Sequence, residues 1–386
     1  MTKLGDICKF QSGGTPSKAN ESFFGGSIPW ITTVSLNDSV INEENAVDWI
    51  TESAIKQSAA KIVPKNSVMI GTRVGVGKTA INSVEMSTSQ DVISLLDIDE
   101  DKWDKHFLCL FFVSKRDYLL SQARGATIKG IKIDTLSSLD LPEYSLETQK
   151  RIAANLDKAT QTIDLCNAIL EKLDLLVKAR FVEMFGDPAT NPMGWIETTV
   201  GKECHYIKDG PHKSLPDIGQ ENGGHPFISV RNIVNHVIDF SSARYISDED
   251  FAAARKKCCP EKGDILYSKG GTTGIAKLID VDIEFANWVH LAVLKFDRNV
   301  IDGLFFENML NCDFCYGQSQ KLTKGIANRD LVLSAMAQIK IYRPPIELQR
   351  QFSAFVEQTD KSKFAVQQVL AKAETLKKAL MQEYFG

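Results

Sequence analysis

The chain has 386 residues, of which 43% are apolar and 24% are charged. These proportions are typical of a globular protein and exclude a disordered or fibrous one, and the length suffices for two or three domains. The 45 lysines and arginines against 49 aspartates and glutamates give a net charge of −4. Nucleic-acid binding through bulk positive charge is therefore excluded, and any such role must depend on local basic loops or on a partner.

Neither a membrane-spanning segment nor a secretion signal is expected. The sequence has no run of about 18 apolar residues. Lys3, Asp6 and Lys9 interrupt the first ten residues, unlike the apolar core of a signal peptide. The eight cysteines are scattered along the chain, which is typical of reduced thiols. We therefore expect a cytoplasmic protein.

In chain order, the pattern predicts two mixed α/β segments, each followed by a long helix. Short apolar runs at 67–70, 91–96, 264–267 and 291–296 predict buried strands, and a stretch of helical period predicts a helix over 107–120. Residues 147–186 and 347–386 contain no proline and no glycine before their last residue, so each predicts a helix of roughly 60 Å. The predicted segments are a first domain (1–146), a first long helix (147–186), a second domain (187–346) and a second long helix (347–386).

Apolar residues in both long helices recur in alternating steps of three and four. This heptad pattern predicts a coiled-coil seam. The residues assigned to helix pairing are Ile152, Leu156, Ile163, Leu170, Leu173, Val177, Phe352, Val356, Val366, Leu370 and Leu380. Lys363 and Lys377 also fall on the second seam, where long lysine stems can extend outward to solvent. Two such helices in one chain are the obvious partners of each other, although heptads alone do not distinguish parallel from antiparallel packing.

The two halves of the chain repeat the same landmarks in the same order. Chance similarity would require several collinear coincidences, so we interpret the pattern as an internal duplication. The matched strings are Leu146-Glu147-Thr148-Gln149 with Ile346-Glu347-Leu348-Gln349, Phe185-Gly186 with Phe385-Gly386, Pro29-Trp30-Ile31-Thr32 with Pro226-Phe227-Ile228-Ser229, and Lys129-Gly130-Ile131 with Lys324-Gly325-Ile326. In addition, a glycine-rich loop follows a strand in each half, at 71–79 and at 268–274.

With these motifs, the chain resembles the specificity subunit of type I restriction–modification systems over essentially its whole length. The resemblance rests on Leu4-Gly5-Asp6-Ile7, Gly13-Gly14-Thr15-Pro16-Ser17, Ile28-Pro29-Trp30-Ile31, the two glycine-rich loops, and the run from Ser145 to Ile152 that opens a long helix. One departure is that the second half has Lys208-Asp209-Gly210-Pro211-His212 instead of a Gly-Gly-Thr-Pro string.

The resemblance implies a mixed α/β (α+β) fold with two repeated target-recognition domains separated by two long helices that form an antiparallel coiled coil. Each domain would recognise one half of a bipartite, asymmetric double-stranded DNA site. The helices would hold two modification subunits, which methylate adenine with S-adenosylmethionine, and restriction subunits would use ATP to translocate and cut. The chain itself would hold no cofactor.

The loop at 71–79 ends in Gly-Lys-Thr, which invites comparison with a nucleotide-binding P-loop. Five residues separate Gly71 from Gly77 where that motif has four, and the second loop has no Gly-Lys-Thr. We therefore favour a loop in which Arg73, or Lys269 in the second half, meets a phosphate or a guanine edge. A solvated hairpin tip remains the alternative.

Cys312-Asp313-Phe314-Cys315 has zinc-ligand spacing, and Cys258-Cys259 precedes it. Adjacent cysteines make a poor second ligand pair, and the first half has no equivalent. Buried thiols are therefore favoured over a zinc or redox site, and no metal is expected. The sequence also lacks the Asn-Pro-Pro-aromatic string of an adenine methyltransferase and any evident catalytic triad, so no catalysis is expected.

Polar residues in loops near the matched landmarks are the candidate DNA contacts. They are Ser12, Thr15, Ser17, Lys18, Thr32, Thr33, Ser35, Arg73, Lys78 and Lys129 in the first half, and Lys208, Lys213, Ser229, Arg231, Asn232, Lys269, Thr272, Thr273, Lys324 and Arg329 in the second. Among these, Arg231 suits guanine and Asn232 suits adenine. The alternative for each of them is an ordinary surface residue that does not contact DNA.

Two other classes of function remain open. A coiled-coil adaptor that binds only proteins would use the long helices but leave the loop-bearing domains without a role. A stand-alone DNA-modifying enzyme or NTPase is disfavoured by the missing motifs.

Overall fold

The computed structural model describes residues 1–124, 130–234, 236–326 and 328–386. The chain divides into a first unit, Met1–Asn167 with Gln368–Gly386, and a second unit, Ala168–Gln367. Each unit therefore contains one mixed α/β body and one half of each long helix. Within the described residues, no helix combines the length and the apolar character needed to cross a membrane.

The first unit combines sheets of mostly antiparallel strands with several short helices. Its strands are β1 (Thr2–Lys3), β2 (Lys9–Ser12), β3 (Phe24–Ile31), β4 (Ser39–Ile41), β5 (Asp48–Ile50), β6 (Ile62–Val63), β7 (Val68–Gly71), β8 (Thr79–Asn82), β9 (Met86–Thr88), β10 (Val92–Leu96) and β11 (Asp140–Leu141). Its helices are α1 (Glu52–Gln57), α2 (Lys105–Ser114), α3 (Arg116–Gln122), α4 (Ile133–Ser137) and the start of α5 (Leu146–Phe185).

The second unit has the corresponding elements. Its strands are β12 (Ile196–Thr199), β13 (Cys204–Asp209), β14 (His225–Ile228), β15 (Arg244–Ile246), β16 (Ile265–Ser268), β17 (Ala276–Leu278), β18 (Ala286–Asn287), β19 (Leu291–Phe296) and β20 (Lys340–Arg343). Its helices are α6 (Val200–Glu203), α7 (Asp248–Lys257), α8 (Gly303–Asn311), α9 (Asp313–Leu322), α10 (Leu333–Met336) and the start of α11 (Ile346–Phe385).

The sheet topology confirms the duplication. In the first unit the strand orders are β2-β10-β7-β8-β4, β5-β3-β9-β6 and β1-β11. In the second unit they are β13-β19-β16-β17, β15-β14-β18 and β12-β20. The strands therefore match one for one, except that β4 and β6 extend the sheets of the first unit at their edges.

Successive side chains of the central strand β7 point to opposite faces of its sheet, so this sheet separates two hydrophobic cores of the first unit. Val68 and Ile70 of β7 pack in a core with helix α2, whereas Met69 between them packs in a second core on the other face. A period of two is what a strand buried on both faces requires. The predicted buried strands are thus present in the structure, displaced by at most one residue at either end.

One predicted element needs correction. The expected single helix over 107–120 is two helices, α2 and α3, separated at Lys115, whose ψ of 6° departs from the helical range. The second unit has the same break at Cys312, where ψ is 156°. Apolar periodicity continues across these breaks, so the pattern alone does not reveal them.

The two long helices pack in antiparallel fashion within each unit. In the first unit, Ile152 and Leu156 near the start of α5 share a core with Phe385 at the end of α11. In the second unit, Phe185 at the end of α5 lies 5.5 Å from Phe352 near the start of α11, measured between ring centroids. All eleven residues assigned to helix pairing are buried or half-buried. The direction of packing, which heptad spacing alone does not determine, is therefore antiparallel.

Sequence signals at the helix ends have clear structural causes. The Ser145 hydroxyl accepts a hydrogen bond from the Thr148 backbone N–H at 3.3 Å and so caps the start of α5. At its end, Gly186 has a φ of +76°, and a Cβ there would lie 2.6 Å from Pro192. Glycine is thus required where the chain leaves the helix. On α11, Lys363 leaves the seam and its Nζ reaches Asp174 on α5 at 2.7 Å.

A buried glutamine in each unit joins the long helix to the body. Gln349 accepts from the Asp302 backbone N–H at 2.9 Å and donates to the carbonyls of Pro344 (2.7 Å) and Val300 (3.2 Å). Gln149 makes the equivalent three bonds in the first unit, with Asp104 as its donor. Because Asp104 and Asp302 cap α2 and α8, each glutamine fixes the start of one helix against another.

We predict that Gln349→Ala lowers the free energy of unfolding by about 3 kcal/mol, because one backbone donor and two carbonyls lose their buried partner. Urea unfolding followed by circular dichroism measures the loss. The matched control is Gln338→Ala, since Gln338 is exposed and, among the described residues, its side chain donates only to the Ser334 carbonyl. A change below about 0.5 kcal/mol is expected there. Equal effects of the two substitutions would contradict this role for Gln349.

Candidate nucleic-acid interface

The glycine-rich loop of the first unit (71–79) is held by backbone hydrogen bonds at the ends of β7 and β10. Gly77 donates to the Gly71 carbonyl at 3.0 Å, and the backbone N–H of Thr72 donates to the Asp91 carbonyl at 2.8 Å. The Ile131 N–H in turn donates to the Thr72 carbonyl at 2.8 Å. A distant segment of the chain, which begins at Gly130, is thereby attached to the loop.

This attachment forms a basic cavity in the first unit. The cavity has a volume of about 450 Å³ and is lined by Arg73, Gln122, Arg124, Gly130, Ile131, Lys132 and Thr135. Arg73 pairs with Asp91 at 3.2 Å. Within the described residues, Arg124 and Lys132 have no carboxylate partner. The cavity therefore has a net positive charge and suits an anionic or acceptor-rich ligand.

Sequence reasoning found Arg73 but missed Arg124 and Lys132. These residues lie more than 40 positions beyond the loop in the chain. The backbone bond from Ile131 to Thr72 and the pairing of Arg124 with Gly130 bring them to it. No local motif marks them. Lys129, a predicted DNA contact, lies outside the described residues.

The second unit has the same backbone framework. Lys269 donates through its N–H to the His290 carbonyl at 2.8 Å, Leu331 donates to the Lys269 carbonyl at 2.7 Å, and Gly274 donates to the Ser268 carbonyl at 3.0 Å. These bonds match those of Thr72, Ile131 and Gly77 in the first unit. The structural counterpart of Gly130-Ile131 is therefore Asp330-Leu331, and the predicted match with Gly325-Ile326 was wrong. The Lys-Gly-Ile string recurs in the second half at 324–326, with its glycine five residues before Asp330.

Lys269 is not the exposed loop cation that the sequence suggested. Its side chain is only 6% exposed, and its Nζ lies 2.9 Å from Asp330 Oδ1 and 3.6 Å from Asp209 Oδ2. A buried ammonium group requires such partners, because desolvation without them is costly. Lys269 is therefore part of a buried ion-pair cluster.

Asn232 is also unavailable for the role predicted from its chemistry. Its Oδ1 accepts from the Ser229 N–H at 2.9 Å, and its Nδ2 donates to the Asp239 carbonyl at 2.9 Å and to Ser242 Oγ at 3.1 Å. The side chain is 1% exposed, so it stabilises a turn and cannot meet an adenine. The neighbouring Arg231 is exposed and donates to the Ser242 carbonyl at 2.6 Å.

The other predicted contacts fall into three groups by exposure. Exposed residues are Ser12, Thr15, Ser17, Lys18, Arg73, Lys78, Lys208, Lys213, Arg231, Thr272, Lys324 and Arg329. Half-buried residues are Thr32 and Ser229. Buried residues, beside Lys269 and Asn232, are Thr33, Ser35 and Thr273. The buried group corrects the expectation that all of these side chains lie on loop surfaces.

The buried Thr273 helps to hold a cation at the surface. Arg329 donates to Thr273 Oγ1 at 3.4 Å and to the side-chain oxygen of Gln320. Gln320 donates in turn to the Thr273 carbonyl at 2.9 Å. Arg329 is thereby held against α9, with its side chain exposed and its guanidinium oriented.

The Cys312–Cys315 pair lies at the start of α9, where Cys312 is the capping residue. The neighbouring Cys315 thiol, which donates a hydrogen bond, holds the pKa of Cys312 below its ordinary value. Cys258 belongs to a different core, and burial raises the pKa of its thiol to about 11. Within the described ranges, no group of three or more histidine, cysteine, aspartate or glutamate side chains is placed to hold a metal.

Comparison with known proteins identifies the architecture. The family model for the type I restriction modification DNA specificity domain matches the chain twice, at residues 1–175 and 209–375. The chain belongs to this family. As a type I specificity subunit, it has two target-recognition domains. The first match covers one α/β body and part of α5, and the second runs from the last residue of β13 into α11.

The named relatives of the chain are also type I specificity subunits. The chain is similar to the MjaIX specificity subunit of Methanocaldococcus jannaschii, with 26% identity over 92% of this chain and 85% of the relative. It is also similar to the EcoR124I/EcoR124II specificity subunit of Escherichia coli, with 30% identity over 46% of this chain and 44% of the relative. The crystal structure of the S subunit from M. genitalium shares the fold, with a TM-score of 0.61 at 16% identity over 100% of this chain and 95% of that one.

For the specificity subunit, we predict that Arg124→Ala weakens binding to all DNA sequences alike. Loss of one phosphate-neutralising cation should make the slope of log affinity against log salt shallower by about 0.9. Fluorescence anisotropy of the complex with its modification subunits, titrated at several salt concentrations, measures this. Lys56→Ala is the control, because Lys56 lies on α1 and does not line the cavity. A loss confined to one base pair would instead assign Arg124 to base recognition.

Proposed function

We propose that this specificity subunit recognises a bipartite, asymmetric site in double-stranded DNA, with one target-recognition domain for each half. The observation that carries the proposal is the duplicated framework. In both units, a glycine-rich loop and a distant segment, joined by the same backbone hydrogen bonds, expose charged side chains at the surface. Two equivalent but chemically different surfaces in one chain suit two different half-sites. We assign these domains to residues 1–146 and 187–346.

The low net charge of the chain fits recognition within a larger assembly. A protein that bound DNA alone would need many cations to neutralise phosphates, whereas this chain has a charge of −4. Local cations are nevertheless present, in the first-unit cavity and in Lys324 and Arg329 of the second unit. We propose that they position the domains on DNA and that partner subunits supply further phosphate contacts.

We propose that two modification subunits dock on the long helices and that restriction subunits join them. Apart from their seams, both helices expose large apolar side chains, namely Leu165, Leu175, Leu176 and Val182 on α5 and Phe364, Val369 and Leu376 on α11. Exposed apolar residues of this size are typical of surfaces that bind another protein. The mass of the purified complex tests this part: two modification subunits per chain are expected.

Catalysis is assigned to the partners. We propose that this chain carries no cofactor, that the modification subunits bind S-adenosylmethionine and methylate adenine, and that the restriction subunits use ATP. The glycine-rich loop supports this assignment for nucleotides, because the backbone N–H groups of Thr72, Gly77 and Lys78 already donate to carbonyls of the protein and are not free to bind a phosphate. A protein-only adaptor would be the alternative, and it would not require the two charged surfaces.

A methylation map tests the proposal. The chain is expressed with the modification subunit from the same genome in a host without adenine methylation, and N6-methyladenine is located by long-read sequencing. We predict a split motif with a fixed non-specific gap, since two separate domains read it. A continuous motif, or a stable complex that methylates nothing, would contradict the proposal and favour the adaptor.

A further inference from the structure

The two units place opposite charges at equivalent positions beside their glycine-rich loops. In the first unit, Arg73 projects from the loop opposite Gly130. In the second unit, Gly270 occupies the loop position and Asp330 stands opposite it. The exposed fractions of the two charged side chains are nearly equal, at 47% for Arg73 and 46% for Asp330. One framework thus presents a cation in one unit and a carboxylate in the other.

Packing explains why the charged residue changes sides. A Cβ on Gly130 would lie 2.8 Å from Cγ of Arg73, so the arginine stem occupies the space that a side chain would need. In the second unit, a Cβ on Gly270 would lie 2.3 Å from the ring of His290, so the loop position must stay small. The opposite position then has room for Asp330. Each unit therefore has one charged side chain at this place, on the loop in the first unit and opposite the loop in the second.

A counter-ion orients each of these charged groups. Arg73 pairs with Asp91 at 3.2 Å, and Asp330 Oδ1 pairs with Lys269 at 2.9 Å. Lys269 is too deeply buried to reach a ligand itself, so its contribution is to hold the carboxylate. Within the described residues, Asp330 Oδ2 has no hydrogen-bond partner, which leaves one oriented acceptor at the surface.

A carboxylate at a DNA surface has few favourable contacts. It is repelled by phosphates and cannot donate a hydrogen bond, so only amino groups on base edges suit it. In the major groove these are N4 of cytosine and N6 of adenine, and adenine places the N7 acceptor beside its amino group. The N7 atom is a hydrogen-bond acceptor like the carboxylate oxygen, so the two would repel each other. Cytosine is therefore the base that Asp330 fits best, whereas a cation at the equivalent place of the first unit fits guanine.

We propose that Asp330 determines specificity in the second half-site by accepting a hydrogen bond from a cytosine amino group, with Lys269 as its positioning residue. The proposal rests on the function proposed above, in which the second unit recognises one half of a split DNA site. It further implies that the two units recognise opposite hydrogen-bonding chemistry with the same framework.

Four variants test the proposal by the same methylation map, and competition binding gives the affinities. We predict that Asp330→Ala lowers discrimination for cytosine at one base pair of the second half-site by roughly tenfold to a hundredfold. Its affinity for unrelated DNA should stay level or rise, because a phosphate-repelling charge is lost. We predict that Asp330→Asn shifts the preference at that base pair toward adenine, since an amide pairs with both N6 and N7. Lys269→Met should reproduce the relaxed specificity of Asp330→Ala, and Lys269→Arg should retain part of the cytosine preference.

The matched control is Asp282→Asn, which removes an exposed carboxylate of the same unit that pairs with Lys262 at 2.7 Å. It should leave both half-sites unchanged. Thermal unfolding of each variant shows that the fold is retained. An unaltered second half-site in a folded Asp330→Ala variant, or equal weakening on all sequences, would overturn the proposal for Asp330 alone. A wild-type map without a split motif would instead overturn the proposed function on which it rests.

Discussion

Both units depend on the antiparallel packing of two helices whose sequences lie about 200 residues apart. Each helix has an apolar seam that is stable only when it is covered. Phe385 at the end of α11 completes the core that contains Ile152 and Leu156, and Phe352 near the start of α11 joins Phe181 and Phe185 in the other core. Neither core is complete with residues from one helix alone. Removal of either seam would therefore expose apolar surface in both units.

This constraint explains why the fold was largely predictable. The seam residues repeat at heptad spacing, and strands such as β7 alternate between two buried faces, so the element types follow from periodicity. Duplication supplied a second, independent copy of each landmark. The breaks at Lys115 and Cys312 were missed because apolar spacing continues through them while only the backbone angles change.

The surface chemistry was less predictable, for physical reasons that differ between residues. Lys269 and Asn232 have side chains that suit DNA, but their burial depends on partners, such as Asp209 and Asp239, that lie distant in sequence or across a turn. Arg124 and Asp330 were missed because a hydrogen bond between distant segments places them beside the loops. The residues that pair the two long helices could be predicted from local periodicity. The positions of these charged residues depend on the complete tertiary structure. A duplicated fold can thus keep its backbone hydrogen bonds while its exposed charges diverge, which is what recognition of two unlike half-sites requires.

The central claim is that each unit recognises its own half-site independently of the other. The most direct measurement exchanges residues 1–145 for the corresponding segment of a relative that recognises a different sequence and maps N6-methyladenine again. The long helices are retained, and co-purification with the modification subunits establishes assembly. This account predicts that one half of the methylated motif changes and the other half stays the same. A motif that changes in both halves, or in neither, would contradict it.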